Sequence, residues 1–120
     1  MKYTFRIKKN YEFKRIFTKG QFFSGKILNI YIENSKKNYN KFGVAISKKV
    51  GKSVFRNKLK RWAREVYKNN KNLFLNSKSF YMIISYKSNI EFNDINYKLI
   101  EKDFLTICRN AGIIDENIIN

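Results

Sequence analysis

The sequence predicts an α+β fold, a single-domain α/β sandwich in which three helices pack on one small mixed β-sheet, and three stretches carry that expectation. Phe80 to Tyr86, FYMIISY, is a nearly continuous apolar run, as in a central strand covered on both faces. From Ser53 onward, Phe55, Leu59, Trp62, Ala63, Val66 and Tyr67 recur at helical spacing and share one face. Gln21 to Glu33 is β-rich. In its second half Leu28, Ile30 and Ile32 point one way, and Ile27, Asn29 and Tyr31 the other.

A first short helix is expected within Ile7 to Thr18. Asn10 is its cap, Glu12 sits in its first turn where the macrodipole favours an anion, and Gly20 stops it. Phe13 and Phe17 belong to its apolar pattern; from pattern alone they read as core, although aromatics interleaved with cations can also stack on single-stranded bases. Asn34 to Lys41 is a polar, basic connector, and Phe42 to Ser47 a short apolar strand. A last helix is expected to begin at Asn93 or Asp94, with Ile95, Leu99, Ile100, Phe104, Ile107 and Cys108 on one side, and to stop at Gly112. Glu91 and Asp94 read as helix-start charges, Glu101 and Asp103 as helix-surface charges, Asp115 and Glu116 as charges of a tail over residues 113–120. Residues 1–120 read as one domain, without repeats or a linker.

Composition narrows the function. The chain carries 26 Lys and Arg against nine Asp and Glu, a net charge of +17, with 43% apolar and 17% aromatic residues. That field attracts polyanions, while the apolar content argues for a folded core. There is no histidine, which removes the commonest general base and metal ligand. The carboxylates are scattered, a poor supply for a protein-borne two-metal nuclease site. Cys108 is the lone cysteine and reads as a small core residue. No apolar run is long enough to span a membrane and no secretory signal is evident, so the expectation is a cytoplasmic protein with no membrane partner.

The cations concentrate between Ser47 and Asn69. Lys48, Lys49 and Lys52 surround a turn at Gly51, and Ser53 is the expected helix cap. Asn57, Lys60, Arg61, Arg64 and Lys68 then share a face opposite the apolar one, flanked by Arg56, and Glu65 is the only acid among them. Ordinary solvated helices mix signs. This one reads as a rod that lies along a polyphosphate.

At this stretch, SKKVGKSVFRNKLKRWAREVYK, the sequence resembles the protein subunit of bacterial ribonuclease P. That family carries the form S-K-K-x-G-x-A-V-x-R-N-R-x-K-R-x-x-R-E. Ser47, Lys48, Lys49, Gly51, Val54, Arg56, Asn57, Lys60, Arg61, Arg64 and Glu65 match it, while Ser53 replaces an Ala and Lys58 an Arg. The resemblance runs over residues 7–110. Ile7 to Gly20 is similar to the family's opening L-x-K-x-x-x-F-x-x-V-F-x-x-G, and Phe80 to Tyr86 to its D-x-V-I-I-A-R strand, with Phe80, Ser85 and Tyr86 in place of Asp, Ala and Arg.

The resemblance implies a left-handed βαβ crossover, where the general rule for parallel pairs is right-handed. It implies that Lys48, Lys49, Lys52, Arg56, Asn57, Lys58, Lys60, Arg61, Arg64 and Lys68 contact a catalytic RNA. It implies that Phe13, Phe17 and Tyr31, with Lys9 and Lys49 nearby, line a cleft for the single-stranded 5′ leader of precursor tRNA. The partners implied are ribonuclease P RNA and precursor tRNA, with no protein partner required. Hydrolysis is then carried out by Mg2+ bound mainly by the RNA, with no catalytic or metal-binding residue on the protein. The alternatives are a small ribosomal or other structural RNA-binding protein, a protein-only nuclease and a DNA-binding module.

Overall fold

A computed structural model describes residues 2–115 and 117. In chain order the elements are β1 (Thr4–Arg6), α1 (Asn10–Lys19), β2 (Gln21–Ser24), β3 (Leu28–Ser35), β4 (Asn40–Val44), α2 (Ser53–Asn70), β5 (Ser79–Tyr86) and α3 (Tyr97–Asn110), with single 3-10 turns at Lys71–Leu73 and Phe92–Asp94. One mixed sheet runs β1-β4-β5-β3-β2. The apolar run at β5 takes the centre, antiparallel to β3 and parallel to β4.

Alternation along the strands divides the core. Leu28, Ile30, Ile32, Phe80, Met82 and Ile84 join Leu59, Ala63 and Val66 of α2 and Ile100, Phe104 and Ile107 of α3 in the main apolar layer. On the opposite face Ile83 meets Ile7 and Ile16, with Phe13, Tyr31 and Tyr81 packed around them, so α1 covers that side. The α/β sandwich with three helices is as the sequence indicates.

The hydrogen bonds fix the hand of the β4-α2-β5 crossover. Ile84 faces the α2 layer, and its carbonyl accepts from the Ala45 N–H at 3.0 Å. An L-residue facing the viewer on an upward strand turns its own N–H and C=O to the viewer's right. Seen from α2, β4 therefore lies to the right of β5, and the connection winds left-handed, against the general rule.

Several local expectations are corrected. β1 was not foreseen; it adds in parallel to β4, Phe5 beside Lys41, before the residues where the family resemblance begins. α1 is capped by Lys9 and α2 by Lys52, each a backbone cap without a side-chain bond, so Asn10 and Ser53 are first helical residues instead. Phe92–Asp94 is a separate turn, and α3 begins after Asn96, whose side chain accepts from the Leu99 N–H at 3.0 Å. Leu99 is exposed, not core, because it falls on the solvent side of that first turn. Gly112 does stop α3, with a φ of 75°. The Ile113 N–H bonds the Cys108 carbonyl and that of Gly112 the Arg109 carbonyl, closing the helix in a Schellman arrangement. Ile113 and Ile114 are buried, and Ile114 bridges to Phe74, so the expected tail begins inside the core. Glu116 and residues 118–120 of that tail lie outside the described residues.

Asp103 is the largest correction. It is 8% exposed, and its carboxylate accepts the backbone N–H groups of Lys26, Ile27 and Leu28, each at 2.9 Å. It shapes the β2-β3 hairpin rather than lying on the helix surface.

Candidate nucleic-acid interface

α1 crosses β4, β5 and β3 with Ile16 beneath it, and this leaves two flanks. On one, Phe13 and Phe17 project four residues apart, with ring centroids 6.4 Å from each other. Phe13 sits over Gly43, where an added Cβ would lie only 3.0 Å from its ring, so the helix rides close to the sheet. Phe17 meets Tyr31 edge-on at 4.8 Å. The structure thus brings Phe13, Phe17 and Tyr31 together, and the core reading and the cleft reading divide between them. Phe13 is half-buried against Ile7 and Ile83, whereas Phe17 stays 39% exposed. Phe22 joins them 5.0 Å from Tyr31 and 54% exposed. It was missed as a site residue, although its cross-strand pairing with Tyr31 is what the β2-β3 hairpin demands. Lys9 and Lys49 are exposed: Lys9, one turn before Phe13, also lines a groove with Tyr11 and Lys41, and Lys49 lines one beside Val54 and Phe92.

The cationic surface belongs to α2. Two buried phenols hold the helix in place. Tyr86 donates to the Leu59 carbonyl at 2.7 Å, and Tyr67 shares a 2.9 Å bond with the Thr4 hydroxyl. Burial raises both phenols, Tyr67 to about 12, so neither ionises near neutrality. With Leu59, Ala63, Val66 and Tyr67 turned inward, Asn57, Arg61, Arg64 and Lys68 are exposed and Lys60 is half-buried. Arg61 has Glu65 at 3.7 Å. Lys58 lies 5.0 Å over each of the Trp62 and Phe92 rings, whose faces attract its ammonium. Arg56 is turned back: its guanidinium donates to the carbonyls of Gly51 and Lys48, at 2.6 and 3.4 Å. It braces the turn that carries Lys48, Lys49 and Lys52. Gly51 makes that turn with a φ of 60°, and a side chain there would strike the Phe55 ring.

On the far flank of α1, Lys41 donates to the buried carboxylate of Glu12. That hydrogen bond is the main reason the Glu12 carboxyl titrates below its ordinary range and the Lys41 ammonium above its own. A lowered carboxylate adds stability above its unfolded pKa and loses it as the pH falls through the folded one. Glu12→Gln is therefore expected to cost roughly 1 kcal/mol at neutral pH. In urea unfolding series the gap should close as the pH falls below the ordinary glutamate range; a gap independent of pH would mean that the pair contributes no charge interaction.

The described residues include no group of three His, Cys, Asp or Glu side chains arranged for a metal ion, and no helix long and apolar enough to cross a membrane. Cys108 is fully buried, which pushes its thiol well above the ordinary range and agrees with a core role.

A sandwich that displays a cationic helix on one side and a partly uncovered aromatic cleft on the other defines a class, the small basic nucleic-acid-binding domain. The comparisons identify the family. The ribonuclease P family model matches residues 1–112. The chain is 40% identical over 108 residues to the ribonuclease P protein component of Clostridium botulinum strain Langeland, covering 90% of this chain and 95% of that one. It is 35% identical over 108 residues to that of Fusobacterium nucleatum, covering 90% and 97%. Among solved structures, the Staphylococcus aureus RNase P protein superposes with a TM-score of 0.78 at 29% identity, over 92% of this chain and 98% of that one. The Thermotoga maritima protein gives 0.74 at 26%, over 84% and 92%. The chain belongs to the ribonuclease P protein family, and so to the machinery of tRNA processing.

Proposed function

We propose that this chain binds the RNA of ribonuclease P through α2 and the turn before it, and grips the 5′ leader of precursor tRNA in the cleft between α1 and the sheet. The observation that carries this reading is the trio Phe17, Tyr31 and Phe22, three rings in contact that the fold leaves partly open to solvent. Such rings stack on unpaired bases whatever their sequence, which suits a leader that differs from one precursor to the next. The cations of α2 supply the phosphate attraction that duplex RNA needs. Hydrolysis belongs to the RNA and the Mg2+ it binds. The donor set supports this division: Glu12, Glu33 and Asp103 are each already engaged, by Lys41, Arg15 and three backbone amides. The protein raises affinity for the substrate, and through it for the metal.

The test is cleavage of precursor tRNA at low Mg2+ by the cognate RNA alone, the protein alone and both together. Strong cleavage only with both supports the reading. Cleavage by protein alone would place the chemistry on its side chains, and no enhancement would favour a structural RNA-binding protein. Phe17→Ala is expected to weaken holoenzyme binding of precursor tRNA by about 1–3 kcal/mol, the worth of one stacked base, while leaving mature tRNA unaffected. Equal loss for both would return Phe17 to a packing role.

A further inference from the structure

The far flank of α1 carries a second aromatic surface that neither the motif nor the leader cleft accounts for. Tyr3 and Phe5 pack at 4.6 Å, Phe5 and Tyr39 at 5.1 Å, and Tyr39 and Tyr81 at 6.4 Å with their planes within 19°. The outer rings are open: Tyr3 is 68% and Phe5 48% exposed, and Tyr11 across the groove is 67% exposed. They line a groove of about 700 Å3 together with Lys8, Lys9 and Lys41. The two acids of this flank are already held, Glu12 by Lys41 and Glu33 by Arg15, so they do not cancel the exposed Lys8 and Lys9.

This groove is not isolated. Pairing between β1 and β4 ends where the Ile7 N–H bonds the Phe42 carbonyl, so β4 runs on past its neighbour. A depression of about 520 Å3 opens there, floored by Phe13, Gly43 and Val44 and rimmed by Arg64 and Lys68. It shares Phe13 with the leader cleft, and Phe5, Arg6 and Lys8 with the far groove. A continuous aromatic and cationic path therefore leads from Phe17 and Phe13 around the N-terminus of α1 to Phe5 and Tyr3.

We propose that this path holds single-stranded RNA, namely the distal part of a long 5′ leader whose proximal part lies in the Phe17 cleft. Exposed rings beside lysines fit a flexible strand with a base to stack and a phosphate at every step. A second copy of a chain carrying +17 would be repelled from the same surface. The proposal rests on the cleft reading and extends it.

The experiment uses the reconstituted holoenzyme and two precursor tRNAs, one with a leader just long enough to fill the first cleft and one lengthened by a run of uridines. Tyr3→Ala removes an exposed ring, and Phe5→Leu keeps the apolar contact at the sheet edge while removing the stacking face. Each is expected to weaken binding of the long-leader substrate about tenfold and to leave the short-leader substrate unchanged. No loss with either variant, or equal loss at both lengths, overturns the proposal. A Phe17→Ala holoenzyme run alongside separates the two readings. If Phe17→Ala weakens both substrates while Tyr3→Ala and Phe5→Leu are silent, only the extension fails. If Phe17→Ala weakens neither, the cleft reading fails and the extension with it.

Discussion

Alanine at both Arg61 and Arg64 is expected to reduce affinity for ribonuclease P RNA by about tenfold or more. It should also lower the slope of log affinity against log salt by about 2, since each neutralised phosphate contributes about 0.9 on a duplex. Both side chains are exposed, and the partner of Arg61 is Glu65, one helical turn on at 3.7 Å. Stability should therefore change by no more than about 0.5 kcal/mol. That pairing of outcomes makes the test decisive. Filter binding across a salt series gives the slope, and thermal unfolding of the free protein gives the stability. A weaker complex with an unchanged slope would mean that the helix acts through shape or folding and not through charge.

Asp103→Ala should do the opposite, harming the fold first. It strips the acceptor from three backbone N–H groups, one of them the buried Leu28 amide. Hydrogen bonds to a charged group contribute about 1.5–3 kcal/mol each, and solvent can replace part of the loss at exposed Lys26. A destabilisation of about 3–5 kcal/mol is expected, a large share of the stability of a small domain. Asp103→Asn should recover part of this, because its amide oxygen can still accept from Ile27 and Leu28 while its NH2 group faces the Lys26 N–H and the charge is lost. Unfolding free energies from urea titration within about 0.5 kcal/mol of the parent for both variants would show that the hairpin holds its shape without the carboxylate. Gly25 belongs to the same device. A Cβ there would fall 2.4 Å from an Asp103 oxygen, so the hairpin can close on the carboxylate only with glycine at that position.

What the sequence reveals and what it hides follow from the range of the interactions. α2 is legible because its period is local: Leu59, Ala63, Val66 and Tyr67 announce the buried side and Arg61, Arg64 and Lys68 the open one. β5 is legible because seven consecutive residues with hardly a polar interruption suit only a covered strand. β1 is hidden because three residues have no period, and its partner Asn40–Val44 is far along the chain. Asp103 is hidden for the same reason. Its position on α3 looks like surface until Gly25 to Leu28 arrive from about 75 residues away. The ring trio is half legible. Phe13 and Phe17 share one helix face, yet one turn of α1 separates a ring that rests on Gly43 from one that overhangs Tyr31. No pattern within α1 distinguishes them, and Phe22 enters only through its register with β3.

The strand order also says something about the order in which this protein comes into being. β3 and β4 do not touch; each needs β5 between them. On the ribosome, Asn70 ends the cationic helix sixteen residues before Tyr86 completes the strand that joins the two halves of the sheet. At about 5–20 residues per second that is an interval of roughly one to three seconds. Until it is over, Leu28, Ile30 and Ile32 lack the strand that pairs with them, and α2 lacks the completed layer on which its apolar face packs. The charge of this protein is thus laid down along the chain before the strand that closes its sheet.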